Sequence, residues 1–159
     1  MINRTIKDIV VETIRNRPVT LITGARQVGK TTLCKIIMKD MNFNYVSLDN
    51  PCERAMAIKD PELFLQIHSY PLIIDEVQYA PGLFDAIKTV VNKLKFDKGY
   101  NYGMYVLTGS QSYNLMHGVS QTMAGRIGII KMSPLNYSEI SFNFKKPYKT
   151  EFIWLQINR

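Results

Sequence analysis

The chain has few of the residues that are typical of secreted, metal-binding or membrane-spanning proteins. Its 159 residues include two histidines and only two cysteines, Cys34 and Cys52, which lie far apart and form no CxxC pair. A disulfide framework and a zinc site are therefore not expected, and the cysteine usage fits a reducing cytoplasm. No run approaches the roughly 18 consecutive apolar residues that a membrane span needs. Charged residues also interrupt the apolar positions of the amino terminus, so we expect no secretory signal and no membrane partner.

Composition points to one globular domain. Hydrophobic residues make up 46% of the chain and charged residues 21%, and the 9 glycines and 7 prolines are ordinary numbers, which excludes disordered and collagen-like classes. The net charge of +7 fits nucleic acid, an anionic ligand or simple solubility equally well. Of the lysine-rich segments, 142–149, where lysines are interleaved with aromatics, is the better candidate for a nucleic-acid contact. A basic tail without that role is the simpler interpretation.

Apolar runs of strand length alternate with stretches that have helical periodicity. A helix is predicted to start near Ile2 and to end before Pro18. Strands are predicted at 19–23, 44–48, 71–75, 102–108 and 127–132, and further helices at 30–41, 51–58, 61–67, 81–96 and 113–124. This alternation predicts an α/β fold with a parallel, roughly five-stranded sheet and helices on both faces. The pattern stops beyond Pro134, so we predict a domain over 1–140 and a tail, 141–159, that could begin a second domain.

A glycine-rich segment follows the first predicted strand. Its sequence, GARQVGKT at 24–31, matches the GxxxxGK[ST] phosphate-binding loop. Glycine lets the backbone approach a phosphate closely, and the helix that follows directs its N–H groups at the anion. Lys30 would add a positive charge for the β- and γ-phosphates, and the Thr31 hydroxyl would ligate Mg²⁺. The segment predicts ATP binding by Gly24, Ala25, Arg26, Gln27, Val28, Gly29, Lys30, Thr31 and Thr32.

Two adjacent acids end the third predicted strand, in the sequence LIIDE at 72–76. Open α/β sheets bind their ligands at the carboxyl ends of the strands, where the phosphate loop also lies. Asp75 would hold Mg²⁺ at this edge, through water. Glu76 would then orient and deprotonate a water for attack on the γ-phosphate. On its own, a strand that ends in two acids is equally consistent with an ordinary strand end that has no catalytic role. Together with the loop, it predicts a hydrolytic site.

The fourth predicted strand ends in small polar residues, Thr108, Ser110 and Gln111. In an ATPase of this layout the strand lies between the loop strand and the acidic strand. One of these side chains, with Ser110 as the candidate for nucleotide binding, would therefore touch the γ-phosphate or the attacking water. A glycine-containing turn with no such role is the alternative.

Arg126 precedes the last predicted strand and is a candidate catalytic residue. An arginine placed against the γ-phosphate stabilises the charge of the transition state. The sequence leaves open whether Arg126 acts in its own subunit, in a neighbouring one or not at all. Arg26 either faces the nucleotide or points to solvent.

Several of these segments occur together and in order: TGARQVGKTTL at 23–33, Asp60-Pro61, IDEVQ at 74–78, LTGS at 107–110, AGR at 124–126 and MSPLNYSEI at 132–140. Together they resemble the prokaryotic AAA ATPases in which the ATPase domain precedes a DUF4143 domain. The resemblance implies an AAA-like core of the ASCE group of P-loop NTPases, which uses a catalytic glutamate. Lys30, Thr31, Asp75 and Glu76 would take the roles described above, and Arg126 would be the arginine of the AGR motif.

The resemblance also bears on the rest of the protein. The loop reads GARQ at 24–27, where the family often has GPRQ, and this keeps the residue types that contact phosphate. Members of the family continue well beyond the length of this chain. The resemblance therefore implies a missing C-terminal domain, through which a DNA or protein partner would be engaged, and a homo-oligomer is a further expectation.

Three functions follow from these observations. The first is an enzyme that hydrolyses ATP to ADP and phosphate with Mg²⁺. The second is a switch in which bound ATP or ADP controls docking to DNA or protein with little hydrolysis. The third is a kinase for a small molecule, although the acidic pair favours water as the acceptor.

Overall fold

A computed structural model describes residues 6–99, 101–110, 119 and 122–134 of the chain. The helices are α1 (Ile6–Asn16), α2 (Lys30–Met41), α3 (Pro51–Lys59), α4 (Pro61–Ile67) and α5 (Leu83–Lys98), with a short 3₁₀ helix at Val77–Tyr79. The strands are β1 (Val19–Gly24), β2 (Asn44–Ser47), β3 (Leu72–Asp75), β4 (Tyr105–Ser110) and β5 (Ile127–Lys131). None of the described helices is both long enough and apolar enough to cross a membrane.

The five strands form one parallel sheet in the order β2-β3-β4-β1-β5. The order confirms that β4 lies between the loop strand β1 and the acidic strand β3. The register places Gly24 opposite Ser110 and Ser47 opposite Asp75. Because all the strands run the same way, their carboxyl ends meet at a single edge of the sheet.

Helices cover both faces of the sheet, as predicted. On one face, Leu21, Ile74 and Leu107 of the strands belong to the same buried cluster as residues of α4 and α5. On the other face, the adjacent strand residues Ile22 and Ile73 pack with side chains of α1 and α2. Neighbouring residues of a strand point to opposite faces, so strands buried on both sides appear as unbroken apolar runs in the sequence.

The boundaries of β4 differ from the prediction of 102–108. The strand begins only at Tyr105, because Gly103 has a left-handed backbone (φ 64°) and donates its N–H to the Arg17 carbonyl at 2.9 Å. It runs on to Ser110 because the parallel ladder with β1 continues to Gly24. Of the helix predicted at 113–124, Val119 and Thr122 are helical and most other positions lie outside the described residues, as do Gln111 and the predicted tail.

Two short helices show why specific polar residues precede their prolines. The Asn50 side chain accepts a hydrogen bond from the Cys52 N–H, and that of Asp60 accepts one from the Leu63 N–H, each at 2.9 Å. Both residues are therefore N-caps, with proline as the first helical residue. Since Asn50 caps α3, the neighbouring Asp49 is free for another role.

Gly24 is required where β1 turns into the loop. A Cβ at this position would lie 2.3 Å from the Met132 carbonyl oxygen. We expect Gly24→Ala to lower the free energy of unfolding in urea by about 1–3 kcal/mol, the usual cost of forced overpacking. Gly82→Ala is the matched control, because its Cβ would meet only Pro61 Cγ at 3.6 Å and its backbone is helical (φ −59°). Equal stability of the two variants would contradict this interpretation.

Candidate nucleotide-binding site

The segment between β1 and α2 forms an open cradle of backbone groups. Gln27 and Gly29 have left-handed backbones, with φ of 62° and 93°, so the chain curls before it enters α2. Gly29 is the N-cap of this helix and has no side chain with which to cap the first turn. The first N–H groups of α2 are therefore left to an anion, which they attract together with the helix dipole. This is the geometry that a phosphate group requires.

Lys30 begins α2 and is turned into the loop. Its side chain is almost completely buried, and its Nζ donates to the carbonyl oxygens of Gly24 at 3.1 Å and Ala25 at 2.8 Å. An ammonium group whose partners among the described residues are carbonyl dipoles is a poorly compensated charge. An arriving phosphate would offer it a stronger partner.

The Asp75 carboxylate is the centre of a hydroxyl network. The side chain is 2% exposed. Its Oδ2 accepts hydrogen bonds from Thr31 Oγ1 at 3.0 Å and from Tyr45 Oη at 2.8 Å. Its Oδ1 accepts a short hydrogen bond from Thr108 Oγ1. Three separate elements, α2, β2 and β4, therefore hold this one side chain.

Glu76 directly follows β3 and is held in place through its backbone. It has a left-handed conformation (φ 59°, ψ 44°), which is uncommon for a residue other than glycine. Its N–H donates to Thr108 Oγ1 at 3.3 Å, and the Gln78 amide makes a short hydrogen bond to its carboxylate. The turn directs the Glu76 side chain to the edge where the loop lies, whereas Asp75 stays buried.

A cavity of about 450 Å³ joins these parts. The sequence-predicted residues that line it are Arg26, Gln27, Gly29, Lys30, Thr31, Thr32 and Glu76. Loop residues and Glu76 thus line the same cavity. Thr31 of the loop and Asp75 of the acidic strand, 44 residues apart in sequence, are joined by a hydrogen bond. The expected juxtaposition of loop and acids is present.

Four predicted contact residues do not line this cavity. Val28 packs its side chain into the core on the α2 face of the sheet, so only its backbone belongs to the cradle. Gly24 and Ala25 contribute the carbonyl groups that hold Lys30. Ser110 lies beside Gly24 at the end of β4, at the same edge but outside the lining of the cavity.

Arg126 lies at the opposite edge of the sheet. Its carbonyl accepts a hydrogen bond from the N–H of Val19, the first residue of β1, whereas the loop leaves β1 at Gly24. At about 3.3 Å per residue, this separates Arg126 from the cradle by about 16 Å. Its guanidinium donates to Asn92 Oδ1 at 2.8 Å and to the Ala124 carbonyl at 3.0 Å. In this structure the Arg126 guanidinium is therefore held by Asn92 and Ala124 at the edge of the sheet away from the loop.

The sequence prediction missed part of the cavity wall. Asp49 and Tyr79 also line the cavity, and Arg54 connects them. The Arg54 guanidinium lies 4.2 Å from the centre of the Tyr79 ring and donates to the Asp49 carbonyl at 3.1 Å and the Leu48 carbonyl at 2.8 Å. Asp49 could have been found, because it follows β2 and so falls at the same edge as Asp75. Nothing in the local sequence around Arg54 marks its contact with Tyr79.

Two ionisable groups behind the site, Cys34 and Tyr45, are held in their neutral forms. Burial, followed by the nearby Asp75 carboxylate, raises the pKa of the Cys34 thiol. Burial and the hydrogen bond to Asp75 also raise the pKa of the Tyr45 phenol. Cys34 is therefore an unreactive core thiol, and Tyr45 remains a hydrogen-bond donor at neutral pH.

The oxygen atoms of Asp75 and Thr31 are suitable ligands for a magnesium ion that binds together with a nucleotide. The Thr31 hydroxyl and the Asp75 carboxylate offer hard oxygen atoms 3.0 Å apart. Among the described residues there is no group of three or more His, Cys, Asp or Glu side chains that could hold a metal unaided. Magnesium in nucleotide sites needs few protein ligands, because the substrate phosphates supply others.

The sheet order, the loop and the acidic strand end together define an α/β P-loop NTPase fold. Two solved structures share this fold. The Walker-type ATPase PABY2304 of Pyrococcus abyssi aligns with a TM-score of 0.60 at 16% identity, over 87% of this chain and 55% of its own. AMPPCP-bound DnaA from Aquifex aeolicus aligns with a TM-score of 0.56 at 18% identity, over 97% of this chain and 55% of its own.

Sequence comparison gives the family. Residues 16–141 match the AAA domain family AAA_14, and the chain belongs to this family. It is thus an ATP-binding protein of the AAA type. The uncharacterized proteins Mb2031c of Mycobacterium bovis and Rv2008c of Mycobacterium tuberculosis are each 32% identical over 127 residues, which is 80% of this chain. The chain spans only 27% of the length of either relative.

Arg54 supports the cavity wall, and its loss should weaken ATP binding. We expect Arg54→Ala to raise the Kd for ATP about 5-fold, because losing a stacked, hydrogen-bonded arginine costs about 1 kcal/mol. Isothermal titration calorimetry measures this change. Lys59→Ala is the control, because Lys59 ends the same helix and does not line the cavity. An unchanged Kd in Arg54→Ala would show that the wall does not depend on Arg54.

Proposed function

We propose that this domain hydrolyses ATP to ADP and phosphate with Mg²⁺. One observation carries the proposal: Glu76 enters the same cavity as the loop, while the adjacent Asp75 is hydrogen-bonded to Thr31. A carboxylate suited to activating water and a carboxylate suited to a metal ion are thereby placed on opposite sides of one turn. A site that only binds nucleotide has no need of the first.

Several residues of the chain have separate roles in the proposed hydrolysis. Lys30 exchanges its loop carbonyls for phosphate oxygens and, with the N–H groups at the start of α2, offsets charge on the phosphates. Glu76 accepts a proton from the attacking water, and Thr108 and Gln78 hold Glu76 in position through its N–H and its carboxylate. Bound Mg²⁺ would neutralise phosphate charge beside Thr31 and Asp75.

Arg126 would act on the nucleotide of a neighbouring subunit. Together with Arg17 and Lys95 it lines a second cavity of about 390 Å³, and none of the described residues in that lining is Asp or Glu. The cradle itself attracts anions, so a basic recess would complement it only through the negative charge of a nucleotide bound there. We infer a head-to-tail homo-oligomer in which the basic edge of one subunit meets the cradle of the next.

A nucleotide-dependent switch is the second candidate, and the position of Arg126 favours it for the isolated chain. At about 16 Å from the cradle of the same chain, Arg126 would give no assistance to hydrolysis in a monomer. A lone chain would then hold ATP with slow turnover and report the bound state to a partner. Phosphate release measured over a range of protein concentrations separates the two functions, because only the assembled enzyme accelerates with concentration.

We also propose where in the cell the domain acts and which domain follows it. Free Cys34 and Cys52 suit the reducing cytoplasm, where ATP and magnesium are available. We propose that residues 1–140 form the ATPase domain and that 141–159 lead into a C-terminal DUF4143 domain. A DNA or protein partner would be engaged through that second domain.

Glu76→Gln tests the role of the proposed base. We expect ATP affinity within about 2-fold of the wild type and turnover lower by about 10²- to 10⁴-fold, because an amide cannot accept the proton of water. Calorimetry measures the first quantity and phosphate release the second. Glu12→Gln, on an exposed position of α1, is the control and should keep both values. Undiminished turnover in Glu76→Gln would remove Glu76 from the base role.

A mixing experiment tests whether Arg126 acts between subunits. Arg126→Ala and Glu76→Gln should each be inactive, whereas an equal mixture should recover roughly a quarter of wild-type turnover, since random neighbours combine an intact cradle with an intact arginine at that frequency. A mixture of Glu76→Gln with Lys30→Ala is the control, because both changes lie on the cradle side and no recovery is expected. Absence of recovery in the first mixture would contradict the head-to-tail arrangement.

A further inference from the structure

We propose that the Tyr45 hydroxyl is a positioning group for the metal site and sets how tightly Mg²⁺ binds beside ATP. The inference rests on the proposed function and concerns a residue that the phosphate loop and acidic strand do not include. Tyr45 comes from the edge strand β2, and its Oη donates to Asp75 Oδ2 at 2.8 Å. Thr31 donates to the same oxygen at 3.0 Å.

Asp75 depends on hydroxyl donors because no cationic side chain in the described part of the chain reaches it. Among the described residues, no Lys or Arg nitrogen lies within ion-pair distance of its carboxylate, and the nearby Lys30 Nζ is bonded to loop carbonyls. A buried carboxylate without such partners is costly. Three neutral hydroxyls, from Thr31, Tyr45 and Thr108, offset part of that cost.

The distribution of these donors orients the carboxylate. Oδ2 accepts two hydrogen bonds and Oδ1 accepts one. Each carboxylate oxygen has about two acceptor positions, so Oδ2 is full and the remaining capacity lies on Oδ1. Thr31 gives its only hydrogen to Asp75, which leaves the lone pairs of the Thr31 oxygen for a cation. Without the phenol, Asp75 would be free to turn and Oδ2 would regain an acceptor position.

Tyr45 is well suited to hold this position. Its backbone pairs with Ile73 in the parallel ladder, two residues before Asp75 and on the same face of the sheet. Its ring is partly buried against the cluster formed with α2, which also contains Cys34. The sheet register and the packing of the ring together fix the distance from the hydroxyl to the carboxylate.

Tyr45→Phe is the test, because it removes the hydroxyl and retains the packed ring. The measurement is the Kd for ATP by calorimetry over a series of Mg²⁺ concentrations and in EDTA. We expect the Mg²⁺ concentration for half-maximal tightening to rise about 10-fold, the lower end of the range for loss of an outer-shell partner, because two hydroxyls remain. The Kd in EDTA should stay at the wild-type value, since the cradle is intact.

Tyr105→Phe is the matched control. Tyr105 opens β4 at the edge away from the cradle, and its buried hydroxyl has no hydrogen-bond partner among the described residues. It should leave the Mg²⁺ series unchanged, which separates metal positioning from a general effect of deleting a phenol hydroxyl.

The outcomes are distinct. A Tyr45→Phe chain with the wild-type Mg²⁺ series, or one that loses ATP affinity equally with and without Mg²⁺, would overturn the inference and leave the proposed function standing. If the ATP affinity of the wild-type chain does not change with Mg²⁺, both the inference and the proposed function are overturned. A higher Mg²⁺ requirement confined to Tyr45→Phe supports the inference.

Discussion

The site depends on one buried negative charge, the carboxylate of Asp75. Burial of such a charge is tolerated only with hydrogen-bond donors on its oxygens, and here the donors are hydroxyls from three different elements of the fold. Loss of register in the sheet or a shift of α2 would remove at least one of them. The electrostatic requirement of a single side chain thus ties together the loop helix, the edge strand and the central strand.

Thr108 links that charge to the proposed chemistry. Its hydroxyl hydrogen bonds to Asp75, and its oxygen accepts the N–H of Glu76. A single central-strand residue therefore positions both members of the acidic pair, one through its side chain and the other through its backbone. The left-handed conformation of Glu76 separates the two carboxylates, so that Asp75 remains buried while Glu76 lines the cavity.

The two edges of the sheet carry different functional groups. The carboxyl edge has the cradle and the acidic pair, and the amino edge has Arg126 beside further cations. A parallel sheet separates the residues that precede its strands from those that follow them, because every strand begins at one edge and ends at the other. The cradle and Arg126 of one chain therefore lie at opposite edges of its sheet.

The sequence alone determined the fold class, the loop and the acidic pair. Unbroken apolar runs indicate parallel strands, and the GARQVGKT segment and the LIIDE strand end have local spacing that constrains their geometry. The central position of β4 followed from the layout expected of such an ATPase and is confirmed. Asp49 could have been predicted by the same reasoning, because it follows β2 and the carboxyl end of every strand in this sheet lies at the functional edge.

Tertiary structure decided the rest. The sequence placed Val28 among the nucleotide contacts, yet its side chain packs in the core, because residue type does not reveal which way a loop residue points. The approach of Tyr45 to Asp75 and of Arg54 to Tyr79 arises from strand register and helix packing, which join residues 30 and 25 positions apart. For Arg126 the structure adds that β1 and β5 pair directly, so the loop after β1 and Arg126 before β5 lie at opposite ends of neighbouring strands. Local chemistry is encoded in neighbouring residues, whereas distances between remote side chains exist only once the sheet has formed.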